Sequence, residues 1–223
     1  MMKEIEPVAI FHSPFSSKFG IPRQSGLVKG LKGRIVLEPK YHDSNALRGI
    51  TDFDYLWLIW GFSANREYNG ESLTVRPPRL GGNERVGVFA SRSPFRPNGL
   101  GLSSVRIIGV EKTDIIVSGA DLMDGTPIYD IKPYLSYADA HPEASGGFTD
   151  HHQWKKLNVV IPESLACNIS EDLIEDLKEV LALDPRPHYH KDPDRTYGMT
   201  FNGKDIHFKV DKDILTVTDI ITA

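Results

Sequence analysis

Three short stretches gather the side chains able to do chemistry. Residues 21–29 (IPRQSGLVK) carry Arg23, Gln24 and an exposable Ser25-Gly26 backbone. Residues 92–101 (RSPFRPNGLG) carry Arg92, Ser93, Arg96 and Asn98. Residues 121–134 (DLMDGTPIYDIKPY) open with Asp121, Leu122, Met123, Asp124, Gly125 and Thr126 and run on to Asp130 and Tyr134. All three are richer in Gly, Pro, Asn, Asp and Ser than a hydrophobic core requires. Such residues set unusual backbone angles and expose backbone N–H and C=O groups. Any one stretch alone reads as a tight turn closing a β-barrel, a routine use of DG and NG dipeptides. Three of them, separated by plain strand sequence, read as one loop-built ligand pocket on a rigid β scaffold. One side offers guanidinium groups and the other carboxylates, so the pocket has electrically distinct ends.

Standard catalytic signatures are missing. The chain has no GxSxG, HExxH, Walker A loop, CxxC pair or GxGxxG fingerprint. Gly99-Leu100-Gly101 is only a GxG, and strand sequence follows it rather than a helix. His151-His152 and His188-x-His190 lack a third histidine or a cysteine nearby, so no metal is expected.

Charge is unevenly spread. The 223-residue chain has a net charge of −4, which taken alone argues against an electrostatically driven nucleic-acid binder. Between Arg76 and Arg106, however, stand six arginines (Arg76, Arg79, Arg85, Arg92, Arg96 and Arg106), no lysine and one acid, Glu84. Planar guanidinium forks suit phosphates and can stack on bases. The bland alternative is a set of solvated surface arginines. The Pro/Gly-rich run RPPRLGGNER favours a stiff exposed loop and a polyanionic partner.

The elements that must position these loops are mostly strands. Residues 7–11, 34–37, 55–62, 86–90, 103–110 and 115–118 read as strands, rich in Val, Ile and aromatics, and residues 45–50 as a short helix. YLWLIWGF (55–62) is apolar on both faces and predicts a central, doubly covered strand. Many short strands with frequent turns point to a barrel or sandwich. Residues 142–150 (PEASGGFTD) read as a linker, and the pattern then changes. Residues 170–183 form an amphipathic helix with Ser170 as N-cap, ended by Asp184-Pro185. Residues 199–201 and 206–210 flank Asn202-Gly203 as a β-hairpin, with 214–220 as a third strand. The fold class is therefore mainly β: a barrel over residues 1–160 and a small α+β unit over 161–223.

Hydrophobic residues make up 40% of the chain, enough for a real core, and Cys167 is the only cysteine, so no intramolecular disulfide forms. The opening MMKEIEPVAI lacks a signal-peptide layout, and the longest apolar run is eight residues, too short to span a bilayer. A cytoplasmic protein is expected.

PRQSGLVK, RPPRLGGNERVGVFASRSPFRPNGLGLS, DLMDGTPIYDIKPYL and DPRPHYH resemble, in this order and over nearly the whole chain, the YaeB/TsaA (TrmO) family of tRNA methyltransferases. The resemblance implies S-adenosylmethionine (SAM) as methyl donor, a SAM-binding β-barrel and a homodimer. It implies as substrate the adenosine at tRNA position 37, already bearing an N6-threonylcarbamoyl group, in a threonine-accepting tRNA. Gln24, Ser25, Gly26, Ser63, Ala64, Arg92, Leu102, Asp121, Leu122, Met123, Asp124, Gly125 and Thr126 would bind SAM. At Ser63-Ala64-Asn65 the family carries His-Gln, so backbone contacts are expected there.

The residues suit such a ligand. Arg92 matches a carboxylate, and Asp121 and Asp124 match an ammonium, ribose hydroxyls or a sulfonium. Leu102 and Met123 can line an adenine slot. Asp124, Asp130, Tyr134 or a backbone carbonyl could accept the N6 proton. Arg76, Arg79, Arg96, Arg186 and Tyr189 are the expected tRNA contacts. A separate tRNA-gripping unit at the C-terminus would leave, on its removal, a folded barrel that still binds SAM. The rival readings are a non-catalytic RNA-binding barrel with a SAM-sensing or vestigial pocket, and a phosphoester hydrolase that uses the arginine strip.

Overall fold

The computed structural model describes residues 4–65, 72–77, 84–151, 155–187, 190 and 192–222. Twelve strands are described: β1 Ala9–His12, β2 Lys32–Leu37, β3 Tyr55–Gly61, β4 Thr74–Val75, β5 Val86–Gly87, β6 Leu100–Glu111, β7 Asp114–Ser118, β8 Thr126–Pro133, β9 Asn158–Val160, β10 Tyr197–Phe201, β11 Lys204–Asp211 and β12 Ile214–Thr222. The helices are α1 Ser136–Asp139, α2 Phe148–His151, α3 Glu163–Ala166 and α4 Glu171–Ala182.

Six strands close on themselves in the order β1-β2-β7-β6-β3-β8, every neighbouring pair antiparallel, with β8 returning to β1 through Ala9↔Ile128 and Phe11↔Thr126. Period-two alternation does this work: Leu56, Leu58 and Trp60 of β3 point inward, to meet Phe11, Ile35, Val105, Ile115 and Ile128. The outward side of β3 is only half covered: Trp57 packs on Tyr134 and donates to Asp139 at 2.8 Å, while Tyr55 is exposed. An all-apolar strand here reflects pairing on both edges rather than two buried faces.

The second sheet, β10-β11-β12-β9, is antiparallel except for β9, which pairs in parallel with β12. Asn202 and Gly203 both have positive φ, +49° and +72°, the pairing a type I′ hairpin turn demands. Helix α4 buries Leu177, Val180 and Leu181 against this sheet, with Leu173 and Ile174 partly buried beside them. Ser170 takes the extended N-cap backbone without a side-chain cap, and Asp184 at φ +52° follows the helix end.

Several expectations need correction. Residues 45–50 are not an α-helix but parts of two 3₁₀ turns, Ser44–Leu47 and Ile50–Asp52, split by Gly49 at φ +82°. The strand expected over 86–90 stops at Gly87, and Val88–Ala90 is a 3₁₀ turn. The stretch 121–134 is loop only as far as Gly125, since β8 occupies Thr126–Pro133. Residues 158–160, placed with the barrel, belong to the second sheet.

The two units share packing through one loop. Phe15, Val28 and Leu31, each at most 3% exposed, lie in the loop between β1 and β2 yet pack in one core with Leu177, Met199 and Phe201. Phe15 meets Phe201 edge-on at 5.6 Å. The loop that carries Gln24 and Ser25 is thus pinned at both ends by the C-terminal core.

The barrel interior is tight. A Cβ at Gly101 would overlap the Trp60 indole, whose Nε1 donates to Ser103 at 3.0 Å. Gly101→Ala should therefore lower stability by about 1–3 kcal/mol, the usual cost of overpacking. Denaturant unfolding measures this, and a variant as stable as the parent would show that Trp60 relaxes freely.

Candidate functional site

At one end of the barrel β1, β3 and β7 finish and β2, β6 and β8 begin. The three loops meet there. Gly26 N–H donates to Gly119 O at 2.7 Å and Gly119 N–H to Leu31 O at 2.9 Å. Both glycines have φ near +78°, which a side chain would strain. This clasp brings the Ser25 backbone onto the Asp121 carboxylate. Ser103 on β6 donates its hydroxyl to Asp121 Oδ1 at 2.5 Å, and Trp60 donates to the same hydroxyl. Arg92, whose charge also acts on Asp121, donates Nη1–H to Gln24 Oε1 at 2.5 Å.

Asp121 is therefore the node of the site: it belongs to the third loop, meets the Ser25 backbone of the first and Ser103 of β6, and lies within the field of Arg92 in the second. Burial pushes its carboxyl above the usual carboxylate range. The Ser103 hydroxyl, its own backbone N–H, the Ser25 backbone and the Arg92 charge oppose that shift without cancelling it. A half-buried acid shielded from water yet ringed by donors is poised to answer a cationic or hydroxyl-bearing ligand.

The remaining expected residues divide. Asp124 stands at the same barrel end, where its Oδ1 lies 3.1 Å from His12 Nδ1 and accepts from Ser13 N–H at 3.1 Å. Ser63 and Ala64 are exposed just after β3, and neighbouring Phe62 donates its N–H to Gly99 O at 2.9 Å. Leu102 is 57% exposed and Met123 partly buried, so both can offer apolar surface. Leu122 is 1% exposed within the barrel core, which leaves only its backbone for a ligand. Thr126 is buried and its hydroxyl donates to Met123 O at 2.7 Å, shaping the turn with Gly125 rather than offering a side chain.

Two candidate proton acceptors are not brought to this end. Asp130 lies partway along β8, ion-paired to Lys132 at 2.9 Å. Tyr134 donates its N–H to Tyr55 O at the start of β3, the opposite end of the barrel. Among the tRNA candidates, Arg76 is exposed. Arg96 folds back, Nη1 3.3 Å from Ser91 O. Arg186 is engaged by Asp184 through two bonds, 2.8 and 2.9 Å, with its side chain 12% exposed. Arg79 and Tyr189 lie outside the described residues. Among the described residues no group of three or more His, Cys, Asp or Glu is placed to hold a metal ion, and no helix is long and apolar enough to cross a membrane.

Sequence reasoning missed Ser103, Trp60 and His12. Ser103 carried a readable signal, a hydroxyl on the same inward face of β6 as Val105, 2% exposed. His12 carried none, because its role depends on which loop end β1 reaches.

Two family models match the chain: the tRNA-methyltransferase O N-terminal domain over residues 10–140 and the TrmO C-terminal domain over residues 155–223. The chain belongs to the TrmO family. It is 37% identical over 223 residues to the tRNA (adenine(37)-N6)-methyltransferase of Escherichia coli, covering 93% of each chain. It is 36% identical over 172 residues to the enzyme of that name from Eikenella corrodens, covering 76% of this chain and 97% of that one. The crystal structure of TrmO from Pseudomonas aeruginosa superposes with a TM-score of 0.83 at 32% identity, covering 100% of this chain and 98% of the other. The TrmO likeness therefore spans both the closed barrel and the second sheet.

Proposed function

We propose that this chain is a SAM-dependent methyltransferase that methylates N6 of the adenosine at position 37 of tRNA, on a base already carrying an N6-threonylcarbamoyl group in a threonine-accepting tRNA. The near full-length match to the E. coli tRNA (adenine(37)-N6)-methyltransferase is the observation that carries it, and the Asp121 node supports where the chemistry sits.

The residues present fit the donor: a half-buried carboxylate ringed by donors, a guanidinium whose charge acts on it and the exposed Leu102 side chain at the start of β6 offer a cation-friendly end, a carboxylate-binding end and apolar surface. When bound, SAM supplies a methyl group on a positively charged sulfur. Asp121 answers the ligand's ammonium or ribose hydroxyls, Arg92 its carboxylate, and Gln24 holds the Arg92 fork in place. The acceptor nitrogen is a weak nucleophile, so alignment by these loops is the main source of acceleration, with up to about 7–11 kcal/mol available in ideal cases.

Asp124 takes the N6 proton, with the His12 imidazole behind it as onward acceptor. Asp124→Ala should lower kcat by about 10²-fold or more, while Asp130→Asn and Tyr134→Phe keep it unchanged. Single-turnover methylation measures all three. A full rate in Asp124→Ala would move the proton to a backbone carbonyl.

The protein works as a cytoplasmic homodimer in this reading. Leu73 and Phe89, 59% and 76% exposed and joined through Val88 N–H donating to Leu73 O, give it an apolar surface to pair. The C-terminal unit grips tRNA while anchoring the cofactor loop. Labelled SAM tests the activity: label should enter tRNA with A37 bearing threonylcarbamoyl and stay out of tRNA with G37. Label in neither would favour a SAM-sensing RNA-binding barrel.

A further inference from the structure

We propose that Lys18 reads the free carboxylate of the threonylcarbamoyl group on the acceptor N6, and so selects the base that already bears this group. The proposal rests on the tRNA methyltransferase reading. Bond lengths put that carboxylate about 5 Å from N6 when the substituent is extended. Drawing it out of water requires a cationic partner with N–H groups to donate.

Placement singles out Lys18. Residues 13–18 begin the β1–β2 loop and run beside the group that takes the N6 proton. Ser13 N–H donates to Asp124 Oδ1 at 3.1 Å, and Asp124 N–H donates to Phe15 O at 2.8 Å. Three residues further on, Lys18 Nζ donates to Asn65 Oδ1 at 3.0 Å. Asn65 directly follows Ser63 and Ala64, the expected SAM contacts. Lys18 therefore bridges the segment beside the proton acceptor and the segment beside the methyl donor.

The C-terminal hairpin fixes the same segment from the other side. Ser16 Oγ donates to Thr200 Oγ1 at 2.8 Å, and Asn202 N–H donates to Pro14 O at 2.8 Å. A lysine on a pinned backbone presents its ammonium with less ordering cost on binding.

The charge of Lys18 is also spare. The side chain is exposed, its partner Asn65 is neutral, and among the described residues no carboxylate pairs with it. Its other N–H groups remain for a ligand. The other cations here have work already. Arg92 is held by Gln24 for the carboxylate of SAM, Arg96 folds onto Ser91 O, and Arg23 donates to Asp184 O at 3.4 Å. His12 faces Asp124. A Cβ at Gly30 would overlap the Asp176 carboxylate, and the Lys32 charge acts on that acid, so the far end of the loop belongs to α4.

The full-length protein tests this with two substrates: tRNA whose A37 bears threonylcarbamoyl, and the same tRNA with the threonyl carboxylate converted to its primary amide. At saturating SAM the parent should lose about 10- to 100-fold in kcat/KM on the amide. Lys18→Gln should lose as much on the acid and little more on the amide. Asn65→Asp, which sets a carboxylate on the ammonium, should copy Lys18→Gln on the acid. SAM affinity by calorimetry and the melting temperature should hold in both variants. A parent indifferent to the amide, or variants that keep the parent's preference, would overturn the proposal. So would an equal loss on both substrates, which places Lys18 on a backbone phosphate, or weakened SAM binding, which places it on the carboxylate of SAM. A parent that binds SAM yet methylates neither tRNA would instead overturn the functional reading beneath it.

Discussion

Asp121→Asn should lose the cofactor and keep the fold. Removing the charged partner of a ligand group costs about 1.5–3 kcal/mol, on the order of 10- to 150-fold in Kd for SAM. Stability moves the other way from a usual site mutation. Burial raises the Asp121 carboxyl above its ordinary value of 3.8, despite the Ser103 hydroxyl and the Arg92 charge. A carboxyl whose folded-state pKa is raised favours the fold most at pH below the unfolded value. That contribution is lost as pH climbs through the raised folded value, so at neutral pH the ionised, half-buried carboxylate is a net cost. The neutral amide removes it, and Ser103 can still donate to the amide oxygen. The melting temperature should therefore stay within about 4 °C of the parent at pH 7, and the parent should gain on the variant as pH falls toward 4. Calorimetry with SAM and melting curves at two pH values check this. A variant that binds SAM normally, or one that loses SAM only because it unfolds, would remove Asp121 from the centre of the site.

Cutting the chain to residues 1–156 should abolish SAM binding, although most of the expected SAM contacts lie within that piece. The reason is the shared core. Phe15, Val28 and Leu31 flank Gln24 and Ser25 and are buried by α4, β10 and their neighbours. Exposing three such side chains costs about 5–9 kcal/mol, comparable with the whole stability of a domain at about 5–15 kcal/mol. The β1–β2 loop then releases Gly26 from Gly119, and the Ser25 backbone leaves Asp121. Restoring residues 157–223 as a separate chain should recover part of the affinity. A truncated barrel that melts cooperatively and binds SAM like the full chain would show that the loop holds its shape without the second core.

The outcome is a physical lesson in what strand and loop patterns carry. β3, β6, β7, α4 and the Asn202-Gly203 hairpin were legible because periodicity and a favoured turn dipeptide agree there. β8 was hidden because Asp124-Gly125 and Pro127 advertise a turn, and Pro127 sits in the ladder only by opening the strand. β9 is three residues long and exists only through its parallel partner β12, which no local pattern announces. Within the site, Asp121, Ser25 and Arg92 were readable as chemistry-bearing loop residues. Arg186 was not readable as a spent cation, since its pairing with Asp184 depends on the positive φ of Asp184 after the helix. The long-range choice between Asp124, Asp130 and Tyr134 required the barrel's register, which puts them at different heights.

One measurement bears most directly on the account. Threonine-accepting tRNA that carries threonylcarbamoyl-adenosine but lacks the N6 methyl is incubated with this protein and SAM, then digested to nucleosides for mass spectrometry. The account predicts that the threonylcarbamoyl-adenosine gains one methyl group, that fragmentation places it on the base, and that Asp121→Asn largely prevents it at limiting SAM. Unchanged threonylcarbamoyl-adenosine, with SAM bound by the protein and tRNA present in excess, would contradict it.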